Sequence, residues 1–212
     1  MIKNLIFDFG NVLFDLELGR ISSGLAALYG EQSAAARERL QRDRIFELLE
    51  TGGISADEFV GALCHAVHPP LRPEQALEVW NSIFLRMPRE RFEMLLRLRQ
   101  RYPVFLLSNI NEIHERWIAD YMRREHGITD FEARFFDGVY YSHLVRLRKP
   151  DREIYEYVLA DAELKPHETL FVDDLPENVE AARSVGIHAV VHTPHTDPMR
   201  TLEAFFANYS PA

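Results

Sequence analysis

Four short apolar segments divide the chain, and each is too brief to form a helix. Because they are apolar throughout rather than alternating, they predict strands of a parallel sheet that is covered on both faces. Helical periodicity lies between them, so strand and helix alternate as in a doubly wound, Rossmann-like α/β fold. The apolar segments are residues 5–7, 104–107, 170–172 and 187–191, and the helical patterns cover 88–101, 111–124, 151–161 and 176–185.

Two regions modify this alternation. Residues 138–141 form a strand-like patch, which predicts a small hairpin or an edge strand. Between the first and second apolar segments the chain contains only helical patterns, separated by Gly and Pro pairs. We therefore predict an α/β core formed by residues 1–15 and 87–212, with a small helical cap inserted at 16–86. The predicted cap helices are 16–29, 33–49, 56–67 and 73–85.

The composition limits the classes of protein to which the chain can belong. Its 212 residues are 47% hydrophobic and 27% charged, as in soluble globular domains. A single cysteine excludes an intramolecular disulfide framework, so we expect a cytoplasmic protein. The net charge of −9 disfavours nucleic acid as a partner. No apolar run is long enough to predict a membrane span, and no export signal opens the sequence. The oligomeric state stays open.

Polar side chains stand directly after three of the predicted strands. Asp8 follows the first strand, Ser108 the second, and Asp173 and Asp174 the third. Ligands of an open α/β sheet bind outside the carboxyl ends of its strands, so we expect these side chains to meet in one crevice. Lys149 adds a cation, and the Pro that follows it is suited to the first position of a helix.

This set of side chains matches phosphoryl transfer through an aspartyl phosphate. Asp8 would be the nucleophile. Mg²⁺, which prefers hard oxygen ligands, would bind Asp8, Asp174 and a backbone carbonyl near Gly10, with Asp173 acting indirectly. The phosphoryl oxygens would contact backbone N–H groups at the start of the following helix together with Ser108 and Lys149.

Four segments, in order along the chain, resemble the four motifs of the haloacid dehalogenase superfamily. The resemblance implies the α/β core, a helical cap that selects substrates, an aspartate nucleophile and a bound Mg²⁺. It also implies that Gly10, Asn11 and Asn109 take part in phosphate binding beside Ser108 and Lys149. The segments are Phe7-Asp8-Phe9-Gly10-Asn11-Val12-Leu13, Leu107-Ser108-Asn109, Arg148-Lys149-Pro150 and Phe171-Val172-Asp173-Asp174-Leu175-Pro176-Glu177-Asn178.

One position departs from the pattern of that family's phosphatases. They carry a second Asp two residues after the nucleophile, which exchanges protons with the leaving group and with water, whereas this chain has Gly10. The Asp-x-Gly-Asn form is similar to a subgroup that includes bacterial α-D-glucose-1-phosphate phosphatases, whose anomeric leaving group departs more easily than an ordinary alkoxide. A water, Asn11 or a cap carboxylate such as Glu50 would then relay the proton.

We therefore expect a Mg²⁺-dependent phosphatase for a small phosphorylated metabolite, such as the sugar phosphate α-D-glucose 1-phosphate. Glu50 and Thr51, at a turn of the predicted cap, are candidates for substrate specificity. Two alternatives stay open. A dehalogenase needs no proton for its halide, but the family's dehalogenases do not use the acidic pair that is present here. A non-catalytic binding protein could also keep the fold.

Overall fold

The centre of the protein is a five-stranded parallel sheet. The computed structural model describes residues 1–209. The sheet consists of β1 (Asn4–Phe7), β4 (Val104–Ser108), β5 (Gly138–Tyr141), β6 (Thr169–Asp173) and β7 (His188–Val191), while β2 (Asp15–Leu16) and β3 (Phe84–Arg86) form a separate antiparallel ribbon. The strand order of the five-stranded sheet is β5–β4–β1–β6–β7. The predicted doubly wound α/β fold is confirmed, and residues 138–141 form an edge strand.

Helices cover both faces of the sheet and also build the insert. Before β3 they are α1 (Gly19–Tyr29), α2 (Ser33–Arg42), α3 (Ile45–Glu50), α4 (Ala56–His65) and α5 (Pro73–Asn81). After β3 they are α6 (Arg89–Arg99), α7 (Glu112–His126), α8 (Phe131–Phe135), α9 (Ser142–Val145), α10 (Arg152–Asp161), α11 (Pro176–Ser184) and α12 (Pro198–Asn208). Among the described residues, no helix is both long and apolar enough to cross a membrane.

The sheet separates two hydrophobic clusters, and successive residues of one strand point into different clusters. Leu5 and Phe7 of β1 belong to one cluster, and Ile6 between them belongs to the other. In β6, Leu170 and Phe171 divide in the same way. Since side chains alternate across a strand, a strand that is buried on both faces must be apolar throughout. This accounts for the continuous apolar segments in the sequence.

We call residues 19–81, which hold helices α1–α5, the insert. The insert is built around a hydrophobic cluster centred on Phe59, Leu63 and Trp80, which are almost fully buried, and Ile113 of α7 also packs into it. The indole of Trp80 lies 4.5 Å from the ring of Phe59 and 5.8 Å from that of Phe46, measured between centroids. The insert is therefore a packed helical unit rather than a loop.

The helices predicted for this region are wrong in three places. The pattern at 33–49 is two helices, because Arg44 adopts the left-handed conformation at φ 52° and ends the regular hydrogen bonding. The pattern at 16–29 starts as a helix only at Gly19, and the one at 73–85 ends at Asn81. Their outer ends instead pair with each other in the β2–β3 ribbon, where Leu16 lies opposite Phe84.

The insert contacts the core closely at Gly52. This residue adopts φ +65°, and a methyl group on it would overlap the carbonyl oxygen of His143 in α9. Nearby, the Glu50 carboxylate lies 3.1 Å from the Arg148 guanidinium. At the end of α5, His114 Nε2 lies 3.0 Å from the carbonyl oxygen of Trp80. The insert therefore contacts the core at Gly52, at Glu50 and at Trp80.

The substitution Gly52→Ala tests this close approach. We expect it to lower the free energy of unfolding by about 2 kcal/mol, because it adds left-handed strain and a steric overlap with backbone. Gly61→Ala is the matched control, since a methyl group on Gly61 in the middle of α4 meets nothing within 4 Å. That variant gains up to about 1 kcal/mol from helix propensity. Urea unfolding of both variants measures the difference, and equal stabilities would contradict this account.

Candidate active site

The buried polar side chains meet at the carboxyl ends of the three central strands. Phe7 of β1 lies opposite Leu106 of β4 and Val172 of β6, so the following residues, Asp8 and Asp173, are neighbours across the sheet. The Asp8 N–H donates to the carbonyl oxygen of Val172 at 2.9 Å. Neighbouring strands lie about 4.8 Å apart, so side chains that follow them are held close together. The side chains at this edge, all nearly inaccessible to solvent, are Asp8, Ser108, Lys149 and Asp173.

Lys149 connects the carboxylates at the ends of β1 and β6. Its ammonium donates hydrogen bonds to Asp8 Oδ1 and to Asp173 Oδ2, both at 2.6 Å. The prediction that Pro150 occupies the first position of a helix is wrong, because α10 begins two residues later, at Arg152. Lys149 therefore lies in the turn before the helix, from which its side chain reaches across the strand ends.

The backbone of Lys149 is held by Asn109. The amide of Asn109 donates to the Lys149 carbonyl oxygen at 2.8 Å, and its Oδ1 accepts from the Lys149 N–H at 2.9 Å. The side chain predicted to bind phosphate is thus engaged with the main chain of the lysine turn. Its effect on the site is to fix where the Lys149 ammonium points.

Asp173 is surrounded by donors. Besides the ammonium, it accepts from the Leu175 N–H at 2.9 Å and from the Asn178 amide at 2.9 and 3.1 Å. Asn178 is buried in the first turn of α11. Asn178 is not among the predicted site residues, although its spacing of five residues from an Asp at a strand end is a usable sequence signal. Asp173 therefore acts as a fixed anion inside the site.

Three carboxylates form an acidic triad, namely Asp8, Asp173 and Asp174. One oxygen from each lies within 4.8 Å of the others. Asp174 is half-buried, and its Oδ2 accepts from the Asn11 amide at 3.2 Å. Carboxylate oxygens are the ligands that Mg²⁺ prefers, and a small number of carboxylates completed by water is its usual protein environment. The triad has the donor chemistry and spacing for one such ion.

Burial and the neighbouring charges shift the pKa values of the site residues. Burial raises the pKa of Asp8 from 3.8 to about 7; Lys149 opposes this shift, and Asp173 and Asp174 add to it. Burial also raises the pKa of Asp174. For Lys149, burial acts to lower the pKa, but Asp173 and Asp8 outweigh it and raise the pKa. Three carboxylates share one ammonium, so a bound divalent cation would relieve the repulsion between them.

The Leu16 side chain occupies the space beside Gly10, where the family's phosphatases carry the missing acid. A Cβ on Gly10 would lie 2.7 Å from Leu16 Cδ1 of the ribbon. The next residue, Asn11, is left-handed at φ 56°, and its amide and Oδ1 are engaged by Asp174 and by the Leu16 N–H. The Asn11 side chain, which we predicted to bind phosphate, is thus directed at a carboxylate and at the ribbon.

The two predicted specificity residues lie in different environments. Glu50 reaches the core at Arg148, the residue before Lys149, and burial raises the pKa of Glu50 while Arg148 opposes the shift. The Thr51 hydroxyl instead donates to the carbonyl oxygen of Glu47 at 2.8 Å, within its own helix end. The structure therefore brings Glu50, but not the Thr51 hydroxyl, to the surface between insert and core.

Sequence reasoning did not include Asn111 and His114 among the site residues. Asn111 caps α7 by accepting from the N–H groups of Ile113 and His114, and its amide lies 3.1 Å from His114 Nδ1. Because that nitrogen accepts, Nε2 carries the proton and donates to the carbonyl oxygen of Trp80 in the insert. Burial lowers the pKa of His114 to about 4, so the ring stays neutral. These residues connect the Ser108 loop to the insert.

A parallel sheet with this order, carrying an acidic triad and a buried lysine at its carboxyl edge, defines a hydrolase core. Residues 2–186 match the family model of the haloacid dehalogenase-like hydrolases, and the chain belongs to that family.

Among curated proteins, the chain is 30% identical over 188 residues to the D-ribitol-5-phosphate phosphatase of Bacteroides thetaiotaomicron, covering 88% of this chain and 89% of that protein. It is 31% identical over 189 residues to the sesquiterpene phosphatase astK of Aspergillus oryzae, covering 87% of each. Among solved structures, it is similar to a HAD family enzyme of B. thetaiotaomicron in complex with magnesium and inorganic phosphate. The TM-score is 0.81 at 31% identity, with coverage of 93% of this chain and 97% of that one.

The raised pKa of Asp8 predicts how the stability of the metal-free protein depends on pH. A carboxyl whose pKa is raised on folding contributes stability below its unfolded pKa, near 4, and this is lost as pH rises through about 7. Asp8→Asn removes that loss. We therefore expect the variant to melt above the unmodified protein at pH 8 without metal, by roughly 2–4 °C per kcal/mol recovered.

The difference between the two melting temperatures shrinks as pH falls towards 4. Thermal melts in a metal chelator across pH 4–8 measure it, with Asp43→Asn, at an exposed position of the insert, as the control. A lower melting temperature for Asp8→Asn at pH 8 would contradict the assignment of Asp8 as a carboxylate that is costly to ionise.

Proposed function

We propose that this protein is a Mg²⁺-dependent phosphatase that hydrolyses a small sugar or polyol phosphate through a phosphoaspartate at Asp8. The observation that carries the proposal is the buried contact of Asp8 with Lys149 inside the acidic triad. The three carboxylates carry more negative charge than the single ammonium compensates. The site can therefore accept an anionic substrate only when a cation is also bound. Fully buried charges of this kind are costly to maintain, which favours a chemical role for them.

In the proposed reaction, a carboxylate oxygen of Asp8 attacks phosphorus and the substrate oxygen leaves. Asp8, Asp174 and the backbone carbonyl of Gly10 would hold Mg²⁺, which would supply charge neutralisation. Ser108 and Lys149 contact the phosphoryl oxygens, with backbone N–H groups of the Asn109 loop. Water then attacks the phosphorus of the phosphoaspartate, and the bond to the Asp8 oxygen breaks, which releases inorganic phosphate and returns Asp8 to its carboxylate form. Asp173 keeps the Lys149 ammonium in place.

We propose that the insert acts as the cap. The boundary between cap and core would lie at the β2–β3 ribbon, close to the ends of the cap predicted at residues 16–86. Glu50 and Arg148 place a charged pair, each about one-third exposed, between the insert and the core. Such groups suit hydroxyl-bearing substrates better than apolar ones, because a buried polar group needs a hydrogen-bonding partner. This favours a substrate of the kind that the ribitol-phosphate relative hydrolyses over one like that of the sesquiterpene phosphatase.

A substrate panel tests the proposed function. It contains D-ribitol 5-phosphate, α-D-glucose 1-phosphate, glucose 6-phosphate, an isoprenoid monophosphate and 2-chloropropionate, each assayed with Mg²⁺ and with chelator. We expect Mg²⁺-dependent phosphate release from a sugar or polyol phosphate, and no release from it by Asp8→Asn, with Asp43→Asn as the active control. Halide release without metal would establish a dehalogenase, and binding without turnover would establish a non-catalytic protein.

The absence of a side chain at Gly10 predicts a dependence on the leaving group. General acid catalysis is worth about 10²–10⁴-fold, so without it rates rise with the acidity of the departing alcohol. We expect aryl phosphates to react at least about 10²-fold faster than alkyl phosphates in single-turnover experiments, which isolate the chemical step. A flat series would show that another group, for which Glu50 is the candidate, supplies the proton.

A further inference from the structure

We propose that Asn11 is a positioning residue that holds the Asp174 carboxylate for the cation and couples it to the ribbon that leads into the insert. This inference rests on the proposed function, because it assumes that the acidic triad binds Mg²⁺. It assigns the Asn11 side chain to the metal site rather than to the phosphate. The basis is one side chain with two partners that are far apart in the sequence.

The first partner is the carboxylate. Asn11 Nδ2 donates to Asp174 Oδ2 at 3.2 Å, across 163 residues of sequence. A carboxylate at the start of a loop can rotate, and a hydrogen bond to one of its oxygens fixes the direction in which the other points. Hydrogen bonds of this kind to metal-binding carboxylates typically change metal affinity by about 10–100-fold.

The second partner belongs to the ribbon. Asn11 Oδ1 accepts from the Leu16 N–H at 3.0 Å, and Leu16 of β2 lies opposite Phe84 of β3. These two strands are the outgoing and returning connections between the core and the insert. An amide held at both ends can therefore transmit the orientation of Asp174 to the base of the insert.

The backbone of Asn11 is shaped for this bridge. Its φ of 56° lies in the left-handed region, which Asn tolerates better than most residues, and its N–H donates to the Phe14 carbonyl oxygen at 2.7 Å. Gly10 beside it leaves room for the Leu16 side chain to pack over the turn. The tight turn thus brings the Asn11 amide between Asp174 and the ribbon.

The substitution Asn11→Gly tests the proposal, because Gly adopts the left-handed conformation without strain and only the amide is lost. The matched control is Glu163→Gly, which makes the same type of change at an exposed left-handed residue with φ 53°. Calorimetric titration with Mg²⁺ alone measures the affinity, with no substrate present. We expect the Mg²⁺ dissociation constant to rise about 10–100-fold in Asn11→Gly and to stay unchanged in Glu163→Gly.

A second measurement uses the unmodified protein and does not depend on how the variant folds. Hydrogen exchange of the Leu16 amide, followed by NMR, should slow when Mg²⁺ is added, because the cation fixes Asp174 and through it Asn11. In Asn11→Gly the same amide has lost its acceptor and should not respond to Mg²⁺.

The proposal is overturned if Asn11→Gly binds Mg²⁺ as tightly as the unmodified protein, or if Mg²⁺ leaves the exchange of the Leu16 amide unchanged. Either result can coexist with normal phosphatase turnover, in which case the proposed function survives and only the bridge is rejected. Conversely, Mg²⁺ binding that weakens in the variant, in a protein that hydrolyses no phosphate ester, rejects the proposed function and keeps the bridge.

Discussion

The buried ammonium of Lys149, held between Asp8 and Asp173, is the interaction on which the rest of the site depends. A charge removed from water is tolerated only when it is paired and hydrogen-bonded, and here both conditions are met by residues from different strands. The pairing requires β1 and β6 to be adjacent and the turn before α10 to reach across their ends. Asn109 holds that turn, and Asn178 holds Asp173. Four segments far apart in the chain are thereby kept in one arrangement.

Around this fixed group, the two sides of the crevice differ in how they are built. The core side is held by short hydrogen bonds between fully buried groups, which suits positions where charge must be placed accurately. The insert side meets it through mixed contacts, at Gly52, at the Glu50–Arg148 pair and at Trp80, whose ring also stacks on His114. The insert is thus joined to the core by its two short connections and by these side-chain and backbone contacts, with Ile113 of α7 packed into its hydrophobic cluster.

Much of this arrangement could be predicted from the sequence, because its signals are local. Strands buried on both faces must be apolar throughout, and a parallel sheet brings the residues that follow its strands to one edge, which located Asp8, Ser108 and Asp173. The rest depends on partners that no spacing reveals. Asn109 contacts a main chain 40 residues away, and Asn11 contacts a carboxylate 163 residues away. The break at Arg44 has no clear sequence signal, because the nearest buried residues on its two sides, Leu40 and Ile45, are spaced roughly as in a continuous helix.

The packing of Leu16 against Gly10 also constrains how this protein could diverge. A side chain at position 10 would first have to displace a terminal methyl group of Leu16, and the flexible end of that leucine can move aside. Because the two residues are in contact, substitutions at both positions are expected to change stability by an amount that differs from the sum of the single changes.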